Sequence, residues 1–329
     1  MQRSRIIGTG TYLPEKVLTN ADLATQLGIE TTDAWIRERT GIGARRVAAP
    51  AEATSDMSTK AARQALELAG IAAKDLDMII VGTITPDMPF PSAAAFVQAK
   101  LGATKAACFD VSAACAGSLY ALSIADQFIR TGSMKYVLVI GAELLTRIVD
   151  WKDRATCVLF GDAAGAMVLG PEPREDRGIL STHLHTDGTQ TGILCIPGGG
   201  SAKPFSQEVL DKREQFVTMQ GREVYKIAVR ALEAVSREAL NRNGYRTQDV
   251  VHVIAHQANL RILEAVMKRL EIPLSKCHLN IEWVGNTSSA SVPLTLDQAN
   301  RQGALKDGDL VLMMAIGAGM SWGSALVRW

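Results

Sequence analysis

Cys115 lies in FDVSAACAGSLYALSIADQFIRTG, between an apolar stretch around Phe109 and Val111 and a segment whose Leu119, Leu122 and Ile129 recur at helical spacing until Gly132 stops it. A thiolate at a helix N-terminus is stabilised by unpaired backbone N–H groups and the helix dipole, so this placement predicts a lowered thiol pKa and a nucleophile. Most cysteines are simply small buried apolar residues, and the local sequence alone favours that role. The small neighbours Ala113, Ala114, Ala116, Gly117 and Ser118 shift the balance, because they leave room for a substrate to reach the sulfur. His256 ends the strand-like run VVHVIAH. His252, four residues earlier, makes H-x-x-x-H without the helix or the glutamate of a zinc H-E-x-x-H, and is read as strand filler. His183 and His185 share one face of STHLHTDG with no acidic or cysteine partner spaced beside them, and are read as structural.

The elements that must position these groups come in two similar sets. QALELAGIAAKDLDMII from Gln64 lies over EALNRNGYRTQDVVHVI from Glu238 at an offset of 174 (249 − 75), each reading as helix, glycine stop, acidic turn and strand. Downstream, Asp126/Asp297 and Gln127/Gln298 match at an offset of 171 (297 − 126), a register that puts Cys115 on Asn286. The strand-like runs YVLVIGAE and LVLMMAIGAG close the two units. Continuous apolar runs (MIIV, YVLVI, CVLF, LVLMMAI) between helical stretches predict buried, largely parallel sheets covered by helices. The expected organisation is one half over 1–175 carrying the cysteine and another over 176–329 carrying His256 and Asn286.

Composition narrows the class. With 329 residues, 47% hydrophobic and 21% charged, the chain can bury a large core, and a net charge of +1 offers no global field for nucleic acid or an anionic membrane. The five scattered cysteines never form C-x-x-C, which argues against a disulfide framework or a zinc site. Gly8-Thr9-Gly10 and Gly317-Ala318-Gly319 each lack the third glycine of G-x-G-x-x-G, and no phosphate-binding G-x-x-x-x-G-K-[ST] occurs, so no nucleotide cofactor is expected. Gly198–Gly200 reads as a flexible connector. The Ile6-Ile7 run is too short for a signal peptide and no stretch reaches membrane-spanning length, so the expected location is the cytoplasm.

The strings FDVSAACAGSLYAL, HQANLRI, GNTSSASVPL and WGSALVRW resemble, in that order, the condensing enzymes of the thiolase fold, most closely the β-ketoacyl-acyl-carrier-protein synthase III family. The resemblance runs from IIGTGTYLPE through WIRERTGI, FGDAAGAMVLG and STHLHTDG to the last residue. It implies an α/β thiolase-like fold, two duplicated halves with mixed five-stranded sheets packed as α-β-α-β-α layers. It also implies an acyltransferase that initiates fatty acid biosynthesis. Cys115 would take the acyl group of a short acyl-CoA primer such as acetyl-CoA, and malonyl-acyl carrier protein would then lose carbon dioxide while N–H donors of His256 and Asn286 hold the enolate oxygen. Asn286 separates this branch from elongating synthases, which use two histidines, and from thiolases, which use a second cysteine. The oxyanion of the second addition would be held by backbone N–H groups of Cys115 and Ala318, the latter replacing a glycine usual in the family.

By the same resemblance Trp35 would stack on the adenine of CoA, Arg39 and Arg154 would meet the nucleotide and its phosphates, and Asn259 would line the pantetheine tunnel. Phe90, reaching across a homodimer interface, and Phe160 would bound the acyl pocket. Arg261, Lys268 and Arg269 would dock an acidic carrier protein, with a solvated helix face as the alternative; Arg261 and Lys268 share a face. No resident cofactor or metal is implied, since the CoA thioester is a substrate. Two other functions stay open: a condensing enzyme, acyltransferase or hydrolase of specialised metabolism using the same Cys-His-Asn site, and a catalytically silent dimer that binds acyl-CoA.

Overall fold

The computed structural model describes residues 3–329. Its frame is two sheets. The first takes β1 (Arg3–Tyr12), β2 (Met78–Gly82), β3 (Ala107–Val111), β4 (Val137–Leu144) and β5 (Asp162–Glu172) in the order β1-β5-β4-β2-β3. The second takes β6 (Gly178–Thr186), β7 (His252–Ala255), β8 (Leu310–Gly317) and β9 (Ser321–Arg328) in the order β6-β9-β8-β7. Every residue of β2, β4 and β8 is buried, because helices cover both faces of each sheet.

The two sheets repeat one pattern. β1 on β5 and β5 on β4 are antiparallel, as are β6 on β9 and β9 on β8; β4 on β2 is parallel, as is β8 on β7. The fifth lane, filled by β3 in the first sheet, is reduced in the second to a single parallel bridge between Val253 and Cys277. The expectation of largely parallel sheets is therefore corrected to mixed ones. An unbroken apolar run reports burial on both faces, and strand direction does not enter that criterion. CVLF is corrected too: Asp153 caps the Ala155 N–H at 2.9 Å and winds Arg154–Cys157 into a helical turn, leaving β5 to start at Asp162.

Seven helices matter for the site: α1 (Asp33–Thr40), α2 (Thr54–Ala69), α3 (Ala93–Leu101), α4 (Gly117–Arg130), α5 (Gly221–Arg242), α6 (Leu260–Leu270) and α7 (Ser291–Arg301). α4 and α7 lie between the sheets, where Leu119, Leu122, Val292 and Leu296 pack with Ile80 and Val139 on one side and Val311 and Met313 on the other. The alternate residues face outward. Ile79 and Leu138 meet Ala61, Ala65 and Val97 of α2 and α3, while Leu312 and Met314 meet Leu232, Leu263 and Met267 of α5 and α6. This is the five-layer α-β-α-β-α stack. Among the described residues no helix is long and apolar enough to cross a membrane.

Candidate active site

Cys115 occupies a 3-10 turn, Ala114–Ala116, that runs directly into α4. Ala114 adopts φ 46°, uncommon for a residue with a Cβ. The second half repeats the device: Ser288 at φ 50° opens the turn Ser288–Ala290, which runs into α7. The offset between these turns is 174 (288 − 114), so Cys115 corresponds to Ser289 rather than to Asn286. The expected register fails because α4 has 14 residues and α7 has 11. Matching Asp126 to Asp297 near the far ends of unequal helices shifts their starts by nearly one turn.

Asn286 lies two residues before Ser288 in a strand-like segment that bridges Phe160, and it lines the same cavity as Cys115. Its backbone N–H donates to Leu159 O at 2.9 Å, and its carbonyl accepts from the Gly161 N–H at 3.0 Å. Its Oδ1 accepts the Ser288 N–H at 2.9 Å, which fixes the amide so that Nδ2 is left as a donor. His256 follows β7 directly, with its N–H on Met314 O at 2.8 Å. Buried Gln257 locks that turn: its N–H reaches Ser291 Oγ at 2.7 Å, and its Nε2 reaches Ala255 O at 3.0 Å and His278 O at 3.1 Å.

Cys115, His256 and Asn286 line one cavity of about 960 Å³. Burial pushes His256 down to about 3, so its imidazole is neutral and carries one N–H donor. The expected low thiol pKa is overturned: burial pushes Cys115 up to about 12, Ser288 opposes this through a hydrogen bond, and the carboxylate of Glu143 adds to it. Desolvation of a buried thiolate outweighs the start of α4 here, and the resting sulfur is protonated. The site thus pairs a buried thiol with two neutral donors, which suits attack on an activated carbonyl followed by stabilisation of a developing oxyanion.

Gly317 packs its α-carbon on Cys115, and a Cβ there would sit 2.5 Å from the Cys115 nitrogen. Ala318 lies beside Cys115 on a second, apolar cavity of about 380 Å³ that shares the sulfur and is walled by Ile148, Val149, Phe160 and Val217. Phe160 borders both cavities. Phe90 is 82% exposed in the loop before α3 and lines neither.

Trp35, Arg39, Arg154, Asn259 and Arg261 all reach the larger cavity. The Arg39 and Arg154 guanidinium carbons lie 4.6 and 4.7 Å from the Trp35 ring centroid. Asn259 caps α6, accepting from the Arg261 N–H at 2.9 Å and donating to Arg39 O at 3.1 Å. Lys268 and Arg269 lie farther along α6, outside the cavity lining, and Arg269 pairs with Glu233 of α5. Sequence reading missed Arg222 and Lys226, which join the cavity rim from an exposed face of α5. Their i, i+4 spacing in GREVYK was the available signal. It also missed Glu143, a charge closing the otherwise apolar β4. The histidines judged structural have partners that the sequence could not supply. Glu238 of α5 meets His183 at 3.2 Å and His185 at 2.7 Å, while His252 meets Asp309 at 3.2 Å and His278 at 3.0 Å.

Two family models match the chain: 3-oxoacyl-[acyl-carrier-protein] synthase III over residues 109–188 and its C-terminal model over 240–329. A β-ketoacyl-[acyl-carrier-protein] synthase III of Caldanaerobacter subterraneus subsp. tengcongensis is 50% identical over 324 residues, covering 98% of this chain and 97% of that protein. The crystal structure of 3-oxoacyl-[acyl-carrier-protein] synthase III from Aquifex aeolicus VF5 superposes with a TM-score of 0.92 at 46% identity, covering 99% and 100% of the two chains. A priming β-ketosynthase of the R1128 polyketide biosynthetic pathway superposes with a TM-score of 0.91 at 38% identity, covering 98% and 96%.

Proposed function

This chain belongs to the 3-oxoacyl-[acyl-carrier-protein] synthase III family of condensing acyltransferases, and from that membership we propose how its residues divide the reaction. Cys115 takes the acyl group of a short acyl-CoA primer, with CoA as the leaving thiol, and holds it as a thioester. Malonyl-acyl carrier protein then enters the larger cavity and loses carbon dioxide. The N–H donors of His256 and Asn286 Nδ2 hold the enolate oxygen as its charge develops, and the carbanion attacks the acylated sulfur. The oxyanion of that addition lies between the backbone N–H groups of Cys115 and Ala318. The residues up to 175 carry the nucleophile, and those from 176 carry His256 and Asn286.

The observation that carries this reading is the meeting of Cys115, His256 and Asn286 on one cavity wall, under a rim of Trp35, Arg39, Arg154 and Arg261. An aromatic ring among arginines suits the adenine and phosphates of CoA. Arg222 and Lys226 join Arg261 at the rim as a dock for an acidic carrier protein, with Lys268 and Arg269 farther along the same helix. The smaller cavity takes the acyl chain. Partly buried Phe109 and Val111 on the edge strand β3, together with the exposed Phe90 in the loop before α3, favour a homodimer in which Phe90 reaches the partner's acyl pocket. The protein works in the cytoplasm with no resident cofactor.

A second reading has its own support. The likeness to a polyketide priming enzyme is nearly as close in shape, and it would keep the chemistry while changing the primer and the receiving pathway. Incubation with a series of acyl-CoA primers, followed by mass spectrometry of the Cys115 peptide, tests both. An acetyl adduct that malonyl-acyl carrier protein discharges supports fatty acid initiation, and selective loading of a longer primer supports the polyketide reading. No adduct from any primer overturns the assignment of Cys115.

A further inference from the structure

Glu143, near the end of β4, is fully buried and has no part in the steps above. Its carboxylate accepts from Thr85 Oγ1 at 2.6 Å, the Ile84 N–H at 3.2 Å, Thr83 Oγ1 at 3.3 Å and Ser288 Oγ at 3.2 Å. Burial outweighs these donors and holds Glu143 up at about 7, where it exchanges a proton near neutral pH. Ser288 also lines the smaller cavity beside Cys115, and its hydroxyl draws the Cys115 thiol pKa down against the effect of burial. Ser288 therefore adjoins both groups, sharing a cavity wall with Cys115 and a hydrogen bond with Glu143. Ser288 is held at φ 50° with its N–H on Asn286 Oδ1, so the turn that aims Asn286 also sets this hydroxyl.

We propose that Glu143 holds the proton of Cys115, passed through the Ser288 hydroxyl, whenever the sulfur is a thiolate or a thioester. This rests on the acylation of Cys115 put forward above. At rest the thiol donates to Ser288 Oγ, which donates to Glu143 Oε1. In the transfer the S–H proton moves to Ser288 Oγ as its own proton moves to Glu143, and the hydrogen bonds reverse: Glu143 O–H to Oγ, and Oγ–H to sulfur. The thiolate then attacks the thioester carbon. A C–S bond forms to Cys115, the C–S bond to CoA breaks with its electron pair, and the CoA thiolate takes a proton from solvent. After condensation the Cys115 sulfur leaves as thiolate and recovers its proton from Glu143 by the same route. One solvent proton is consumed per turnover, as the decarboxylative condensation requires.

Electrostatics gives this arrangement its direction. A permanently charged Glu143 would oppose the thiolate, as its effect on the Cys115 thiol shows. Moving the proton keeps one negative charge in the buried site instead of two. The surroundings hold little else that titrates. β2 and its following loop present Thr83 and Thr85, the turn before α7 presents Ser288, and β5 pairs Ala163 with Glu143. The neighbouring Asp162 directs its carboxylate to the amides of Ala48 and Thr146 and to the Thr146 hydroxyl. His256, which lines the larger cavity together with Cys115, stays neutral.

The test is the pH dependence of Cys115 alkylation by iodoacetamide, a neutral reagent, read by mass spectrometry of its peptide between about pH 5 and 10. The wild-type rate should rise about tenfold per unit to about pH 7 and then level, because the thiolate with protonated Glu143 belongs to the form that has lost one proton. Glu143→Gln should rise about tenfold per unit throughout, with no break near 7. An unbroken wild-type profile, which needs no variant, overturns the proposal, as does a break that survives in Glu143→Gln. Glu143→Asp, which can still hold a proton, should keep a break at a shifted pH. Acetyl transfer from acetyl-CoA to Cys115, followed in parallel, separates the two readings. Transfer with an unbroken alkylation profile sinks the role of Glu143 alone, whereas absence of transfer at every pH sinks the acylation on which it rests.

Discussion

Replacing Gly317 by alanine probes how the sulfur is held. Its φ of −144° suits any residue, so the cost lies in contact and not in backbone strain. The added Cβ would lie 2.5 Å from the Cys115 nitrogen, 3.1 Å from the Cys115 Cα and 3.1 Å from the Ala114 Cβ. Carbon contacts are best at about 3.5 Å, so roughly 1 Å must be found between two pieces of backbone. β8 is buried along its whole length, and the opposing turn already carries Ala114 at φ 46°. A displacement of about 1 Å at the reacting atoms costs about 10²-fold in rate, or about 2.7 kcal/mol of barrier, while overpacking costs about 1–3 kcal/mol of stability. Single-turnover acetyl transfer to Cys115, followed by mass spectrometry beside a thermal melt, should show a folded variant with a lower Tm and acylation slowed about a hundredfold. A folded variant that acylates within about threefold of the wild type would refute the idea that the Gly317 contact sets the geometry at the sulfur.

Asn286→Asp keeps an oxygen to accept the Ser288 N–H but loses the Nδ2 donor, so decarboxylation of malonyl-acyl carrier protein should fall about 10²–10³-fold while Cys115 still acylates; equal loss of both steps would contradict the division of roles. His256 has its own pH signature. Its folded pKa of about 3 lies below the ordinary 6.5, so the unfolded chain binds more protons between those values. The stability this gives is present above about pH 6.5 and is lost as pH falls toward 3. Denaturant titrations should accordingly show stability falling less steeply with acid in His256→Gln than in the wild type. Arg222→Glu with Lys226→Glu should raise KM for the carrier-protein substrate about tenfold, less at high salt, and leave kcat within about twofold; an unchanged KM would remove α5 from the dock.

Much of the molecule was legible in the chain. The helix, glycine stop, acidic turn and strand read at Gly70/Gly244 and Asp75/Asp249 are present as α2 to β2 and as α5 to β7, with 3-10 turns over Ala73–Asp75 and Thr247–Asp249. These signals are local: a backbone that needs a left-handed stop takes glycine, and a buried strand takes apolar residues. Cys115, His256 and Asn286 were legible for a different reason, because their motifs resemble a known family. Physical reading of Cys115 alone erred, since helix position raises an expectation of acidity that only burial can cancel, and burial is decided by the second half of the chain.

What the sequence by itself determined is most of the elements, their duplication and the candidate reactive groups, since each follows from residue type, spacing or motif over short stretches. Strand direction, the turn-for-turn match of Cys115 with Ser289, the rim residues Arg222 and Lys226, and the meeting of Cys115, Ser288 and Glu143 belong to the tertiary structure. Cys115 and Glu143 are 28 (143 − 115) positions apart and Ser288 is 145 (288 − 143) beyond them. No local periodicity spans such separations; only packing α4 and α7 back to back between two sheets brings both turns to one point.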